Sequence, residues 1–116
     1  MIEKNVRWSR QEEALGYTRV GLADSYWLRL RGLLGRPAPA RGTALKIKPC
    51  SSVHTCFMGY AIDVVFLDRG GVVVKLASSL KPWRFRVCPG AACVVEFAAG
   101  EIQALRLQVG DKCEYC

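Results

Sequence analysis

His54 is the only histidine of the chain, and it opens the run His54-Thr55-Cys56-Phe57-Met58, with Asp63 and Asp68 within ten residues of Met58. An imidazole titrates near pH ~6.5, so His54 is able to act as base, acid, metal ligand or pH-sensitive contact. Cys56 would be the nucleophile of a thiol mechanism, and Asp63 the carboxylate that orients the imidazole. Strand geometry tests the first idea. In an extended segment His54 and Cys56 share a face, but their Cα atoms lie roughly 6.5–7 Å apart. A Cys–His pair needs a hydrogen bond of about 3 Å. Alternation therefore speaks against a papain-like dyad.

Asp63 interrupts an apolar run on the face of Ala61, Val65 and Leu67. A buried charge there requires a partner, and Arg31, His54, Thr55 or backbone N–H groups are the candidates. In one reading Asp63 pins a loop or caps the arginine-rich helix; in the other it floors a small polar pocket with His54. Glu96, among Val94, Val95 and Phe97, has the same ambiguity, whereas Asp111 after Gly110 reads as a turn residue. A catalytic zinc site takes about three His, Asp or Glu ligands. One histidine and the absence of any HxH or HxxxH spacing leave no metal site to assign. Walker-type and dinucleotide-binding glycine loops are absent too, so no cofactor is expected.

The six cysteines stand at positions 50, 56, 88, 93, 113 and 116. Cys113-Glu114-Tyr115-Cys116 is the one CxxC, and Cys88 with Cys93 would have to complete a structural zinc site. The alternative, reduced and partly buried thiols, is the expectation.

These residues must be positioned by strands. Val6–Trp8 and Tyr17–Leu22 alternate as edge strands, separated by polar Ser9–Glu13. Asp24 or Ser25 stands where an N-cap belongs, and Tyr26, Leu30, Leu33 and Leu34 follow at helical spacing as far as Gly35. Thr43–Lys48, Val53–Phe57, Ala61–Leu67, Val72–Leu76, Trp83–Val87, Cys93–Phe97 and Lys112–Tyr115 read as strands, and Asp68-Arg69-Gly70-Gly71 as a hairpin turn. Gly100–Leu107 supplies a helical turn or two. The class is mainly β (α+β): a small curled sheet or partly closed β-barrel with one or two short helices, forming a single domain over residues 1–116.

The chain resembles the domain-of-unknown-function 192 family along roughly residues 20–115. The resemblance rests on Arg31-Gly32-Leu33-Leu34-Gly35-Arg36, Val53-His54-Thr55 with Met58, and Ile62-Asp63-Val64-Val65-Phe66-Leu67-Asp68. Gly70-Gly71-Val72-Val73, Pro82-Trp83, Val95-Glu96-Phe97-Ala98-Ala99-Gly100 and Val109-Gly110-Asp111 continue it in order. Cys56 and the Cys113/Cys116 pair depart from the pattern. The family implies no established activity and no catalytic residues.

Charge and hydropathy set the remaining bounds. The net charge is +7. Residues 1–50 contribute ten Lys/Arg against four Asp/Glu, and residues 51–116 contribute seven against six. A basic half suits nucleic acid, anionic lipid or an acidic protein patch, or serves as a solvated surface. The first residues are too polar for a signal peptide and no apolar run reaches the ~20 residues of a membrane span, so a cytoplasmic protein is expected. The leading expectation is a non-catalytic module that binds a small ligand or partner protein through Arg31, His54, Thr55, Met58, Asp63 and Trp83. One alternative is an enzyme with His54 as general base and Asp63 as its orienter. Another is single-stranded nucleic-acid binding by the basic N-terminal half and Trp83. That tryptophan has Lys81, Arg84 and Arg86 beside it, but a tryptophan is more often a core residue, so nucleic-acid binding is not the favoured expectation.

Overall fold

The computed structural model describes residues 2–23, 37–56 and 58–115. Nine strands and one short helix are formed among them: β1 Ile2–Arg10, β2 Glu13–Ala23, β3 Thr43–Ile47, β4 Ser52–His54, β5 Ile62–Leu67, β6 Val73–Leu80, β7 Phe85–Val87, β8 Cys93–Ala98, α1 Glu101–Leu105 and β9 Lys112–Glu114. Seven strands make one sheet in the order β6-β5-β8-β3-β2-β1-β9, and β4 pairs with β7 in a separate ribbon. All pairings are antiparallel except β2 with β3. The mainly β expectation holds. The helix expected between Asp24 and Gly35, and Arg31 with it, lie outside the described residues.

Two expected edge strands are internal instead, because β9 pairs with the free side of β1 and β3 with that of β2, and both strands run well past their apolar stretches. They form a hairpin from Ile2↔Leu22 to Arg10↔Glu13, so the polar Ser9–Glu13 is strand apart from a two-residue turn. Gln11 and Glu12 fill that turn with φ of 51° and 69°. Positive φ at both central positions matches the right-handed twist of the flanking strands, and neither residue is the glycine or asparagine that normally announces such a turn. The Arg7 Nη2 donates to Glu12 O at 2.7 Å and helps to hold it.

The sheet curls without closing, yet its two end strands touch at one corner. Val72 bridges Lys112, Val73 N donates to Asp111 O and Cys113 N to Gly71 O, both at 2.8 Å. These bonds satisfy edge groups that would otherwise face solvent. The concave face encloses one core of Val6, Trp8, Val20, Ala44, Val65, Val95 and Phe97, with Ile102, Leu105 and Leu107 of the α1 region plugging one end. Trp8 donates its indole N–H to Thr18 Oγ1 at 2.9 Å and lies 5.8 Å from the Phe97 ring centre. The convex face of β3, β5 and β8 buries a second core, including Leu45, Ile47, Val64, Phe66 and Val94, beneath Val53 and Met58. β5 is buried along its whole length on both faces, which is why it is apolar at every position but Asp63.

Candidate functional site

Asp63 lies on β5 at the plugged end of the concave core, and it is 1 % exposed. Its Oδ1 accepts from Ser79 N at 2.7 Å, while Oδ2 accepts from Gly100 N at 3.0 Å and Ile102 N at 2.8 Å. Ser79 is in the left-handed region at φ 48°, opposite the irregularity in the β5–β6 register. Gly100 is the N-cap of α1 and has no side chain to satisfy the first helical N–H groups. Asp63 does so from another strand. The carboxylate thus ties β6 and α1 to β5. It caps a helix, α1; the arginine-rich segment that one reading of the sequence gave it lies outside the described residues.

His54 stands elsewhere. It is exposed on β4, in register with Phe85 of β7, whereas Asp63 belongs to the large sheet. Both Asp63 oxygens are taken by backbone donors, so the pairing with His54 as an oriented general base is not made. Thr55 is fully buried and clamps the following turn: Oγ1 donates to Lys81 O at 2.6 Å and accepts from Arg84 N at 2.9 Å. Its carbonyl accepts from Trp83 N and Met58 N. Met58 packs in the convex core. Only His54 and Trp83 of the expected cluster are left at the surface among the described residues.

The surface that does form is the outer face of the β4–β7 ribbon. Directly paired residues point to the same side, so Ser52 and Val87, and His54 and Phe85, face outward while Val53 goes into the core. Trp83 precedes this face at φ 64°, a conformation fixed by its N–H bond to Thr55 O. Trp83 and Phe85 are each 59 % exposed, large for residues of this size. On the side of the ribbon where Arg86 pairs with Val53, an open groove of about 460 Å³ runs between β6 and β7, lined by Ser78, Ser79, Lys81, Arg84 and Arg86. From residue 69 to residue 95 the chain has no Asp or Glu. Within the chain, residues 25–95 hold eleven Lys/Arg against Asp63 and Asp68 alone, a span that includes six of the ten cations of the basic N-terminal half.

A second basic surface was not foreseen. Lys46 lies on β3 in register with Leu22 on one side and Val95 on the other, within the concave row that continues to Val65. It is only 4 % exposed. Burial pushes its ammonium below the usual lysine range; Cys93 opposes this, and Lys48 and Lys4 add to it. Burial likewise raises the Cys93 thiol, against the pull of Lys46 and Lys48. The sequence signal was a lysine inside a strand whose alternating neighbours, Ala44 and Leu45, both prove buried.

Among the described residues no cluster of three or more His, Cys, Asp or Glu is placed to hold a metal ion. The expectation of reduced thiols holds for Cys50, Cys56, Cys88 and Cys93, whereas Cys113 is disulfide-bonded. No helix among the described residues is long and apolar enough to cross a membrane.

A known family profile, DUF192, described as uncharacterized ACR, matches residues 7–115 of the chain. The chain belongs to the DUF192 family. A UPF0127 protein of Pyrococcus furiosus is 40 % identical over 102 residues, covering 83 % of this chain and 85 % of the relative. One from Thermococcus sibiricus is 36 % identical over 103 residues; the match spans 84 % of the DUF192 chain and 66 % of that longer relative. Among crystal structures, a proposed transcription regulator from Sinorhizobium meliloti superposes with a TM-score of 0.87 at 19 % identity, covering 97 % of this chain and 93 % of that one. A protein of unknown function from Novosphingobium aromaticivorans gives 0.83 at 18 % identity, covering 97 % and 85 %. At these identities the two structures establish the DUF192 fold and nothing of its activity.

Proposed function

We propose that this chain is a binding domain and not an enzyme, and that the outer face of the β4–β7 ribbon holds single-stranded nucleic acid. The observation that carries this reading is the exposure of Trp83 and Phe85 on a ribbon whose other side, where Arg86 pairs with Val53, borders a groove lined by Lys81, Arg84 and Arg86, so that a strand crossing the ribbon edge meets both. Unpaired bases stack on aromatic faces for roughly 1–3 kcal/mol each, without regard to sequence, while cations follow the phosphates. Ser78 and Ser79 add hydroxyl donors along the same groove. Catalysis is disfavoured because the carboxylate best placed in sequence to orient His54 is consumed by Ser79, Gly100 and Ile102. His54 instead extends the ribbon face opposite Phe85, where an imidazole serves as a further stacking surface.

Anisotropy of a labelled oligothymidine in increasing salt tests this. Three groove cations predict a log–log slope of about −2, from ~0.7 counterions released per phosphate on a single strand. Trp83→Ala weakens binding several-fold or more, Lys112→Gln on the far strand does not, and a duplex of equal length binds less well. Absence of binding at low salt, or equal binding of the duplex, overturns the proposal.

A further inference from the structure

The open end of the concave face, opposite the α1 plug, carries the second basic surface. An open cavity of about 800 Å³ is lined there by Lys46, Lys48 and Arg69, with walls that include Cys50, Ala92 and Cys93. A smaller cavity of about 170 Å³ adjoins it through the shared Lys46 and Lys48, and Lys4 joins them. Among the described residues no carboxylate lines either cavity. Asp68, whose charge acts on Cys93, has its Oδ1 engaged by Gly70 N and Val72 N at 2.8 and 3.0 Å.

Lys46 is the informative residue. A lysine is rarely this buried without a partner, because an uncompensated ammonium in an apolar row costs several kcal/mol. Among the described residues its ammonium has neither an ion pair nor a hydrogen bond. The neighbouring Cys93 thiol is held protonated by burial, so no thiolate cancels the charge. The row Leu22–Lys46–Val95 would accept a methionine or leucine with less strain. A cation kept at such a place and aimed into a cavity is suited to a counter-charge brought from outside.

We propose that this cavity is a binding site for a small molecule bearing a dianionic phosphate group. Three cations around one cavity exceed what a monoanion neutralises, and a phosphate has three terminal oxygens, one for each of Lys46, Lys48 and Arg69. Arginine's fork and the lysine point charges are the usual partners of that group. The cavity volume falls within the roughly 300–1,000 Å³ that small-ligand sites occupy, and Pro49, Ala91 and Ala92 provide an apolar wall for the remainder of the molecule. The cavity shares no lining residue with the groove between β6 and β7, so the two sites are tested independently.

Titration with inorganic phosphate, followed by backbone amide NMR, tests the proposal. Saturable shifts are expected at Lys46, Ala92 and Cys93. Lys46→Met, which leaves the row apolar and the fold intact, lowers phosphate affinity at least about tenfold by removing one charge-assisted hydrogen bond. Arg69→Gln does so by a similar factor, and Lys112→Gln, which removes the same charge elsewhere, leaves the affinity unchanged. Acetate binds at least about tenfold more weakly than phosphate. Shifts that never saturate, an unchanged affinity in Lys46→Met, or equal binding of acetate overturn the assignment.

Discussion

Replacing Asp63 by asparagine isolates what this residue does. Asp63 is 1 % exposed and accepts hydrogen bonds from Ser79, Gly100 and Ile102 N–H groups. Asparagine keeps one acceptor oxygen and turns an NH₂ group toward donors it cannot satisfy. Bonds to a charged acceptor contribute about 1.5–3 kcal/mol each, and the orphaned N–H groups remain buried. The effects share one side chain and do not add fully, so a loss of about 3–5 kcal/mol is expected. For a chain of this size that moves the urea midpoint down by about 2 M. Equilibrium unfolding in urea measures it, and native-state hydrogen exchange should show the Ile102 and Ser79 amides losing protection first. A midpoint within ~0.3 M of the native value would mean that the carboxylate does not hold α1 and β6 together, and a role in ligand chemistry would return.

Other perturbations have equally definite outcomes. Thr55→Val removes the hydroxyl that bonds Lys81 O and Arg84 N, and should cost about 1–3 kcal/mol by urea unfolding while weakening oligonucleotide binding, because Trp83 loses its fixed position. Asp111 is lowered below the usual carboxylate range: burial alone would raise it, but the two bonds from Arg10 and the Gln108 N–H prevail. Its contribution to stability is therefore complete above the unfolded carboxylate value of ~3.9 and is lost as pH falls through the lower folded value, so native and Asp111→Asn chains should converge in melting temperature only in strong acid. Lys46 carries the opposite sign of effect. Its folded value lies below the unfolded ~10.4, so the unfolded chain binds more protons between the two and stability rises with pH there. Lys46→Met should raise the melting temperature near neutral pH, and the advantage should shrink as pH approaches ~10.4.

The strands that bury both faces were legible because apolar, largely β-branched residues dominate them; Ile62–Leu67 and Cys93–Ala98 are the examples, each with one buried carboxylate, Asp63 and Glu96. The β1–β2 hairpin was only half legible. Its turn uses Gln11 and Glu12 at positive φ, and polar alternation in Ser9–Glu13 resembles a loop when the partner strand is unknown. Asp63 was recognised as a charge in need of partners, but two of those partners lie 37 and 39 residues away on a helix that local sequence cannot bring near. A tryptophan more often belongs to a core, but the Thr55 bonds to residues 81–84 hold Trp83 at the surface. Lys46 was invisible because a lysine in an alternating strand signals a solvent face. Here both faces are covered, the second by Val53 and Met58 from a segment that follows in sequence.

Amide NMR mapping of an oligothymidine titration tests the binding claim most directly. The account predicts that the largest shifts fall at residues 52–54 and 81–87, with Trp83 and Phe85 at their centre, and disappear in Trp83→Ala. Shifts centred on Lys46 and Cys93, spread over the basic surface without a focus, or unaltered by Trp83→Ala would contradict it.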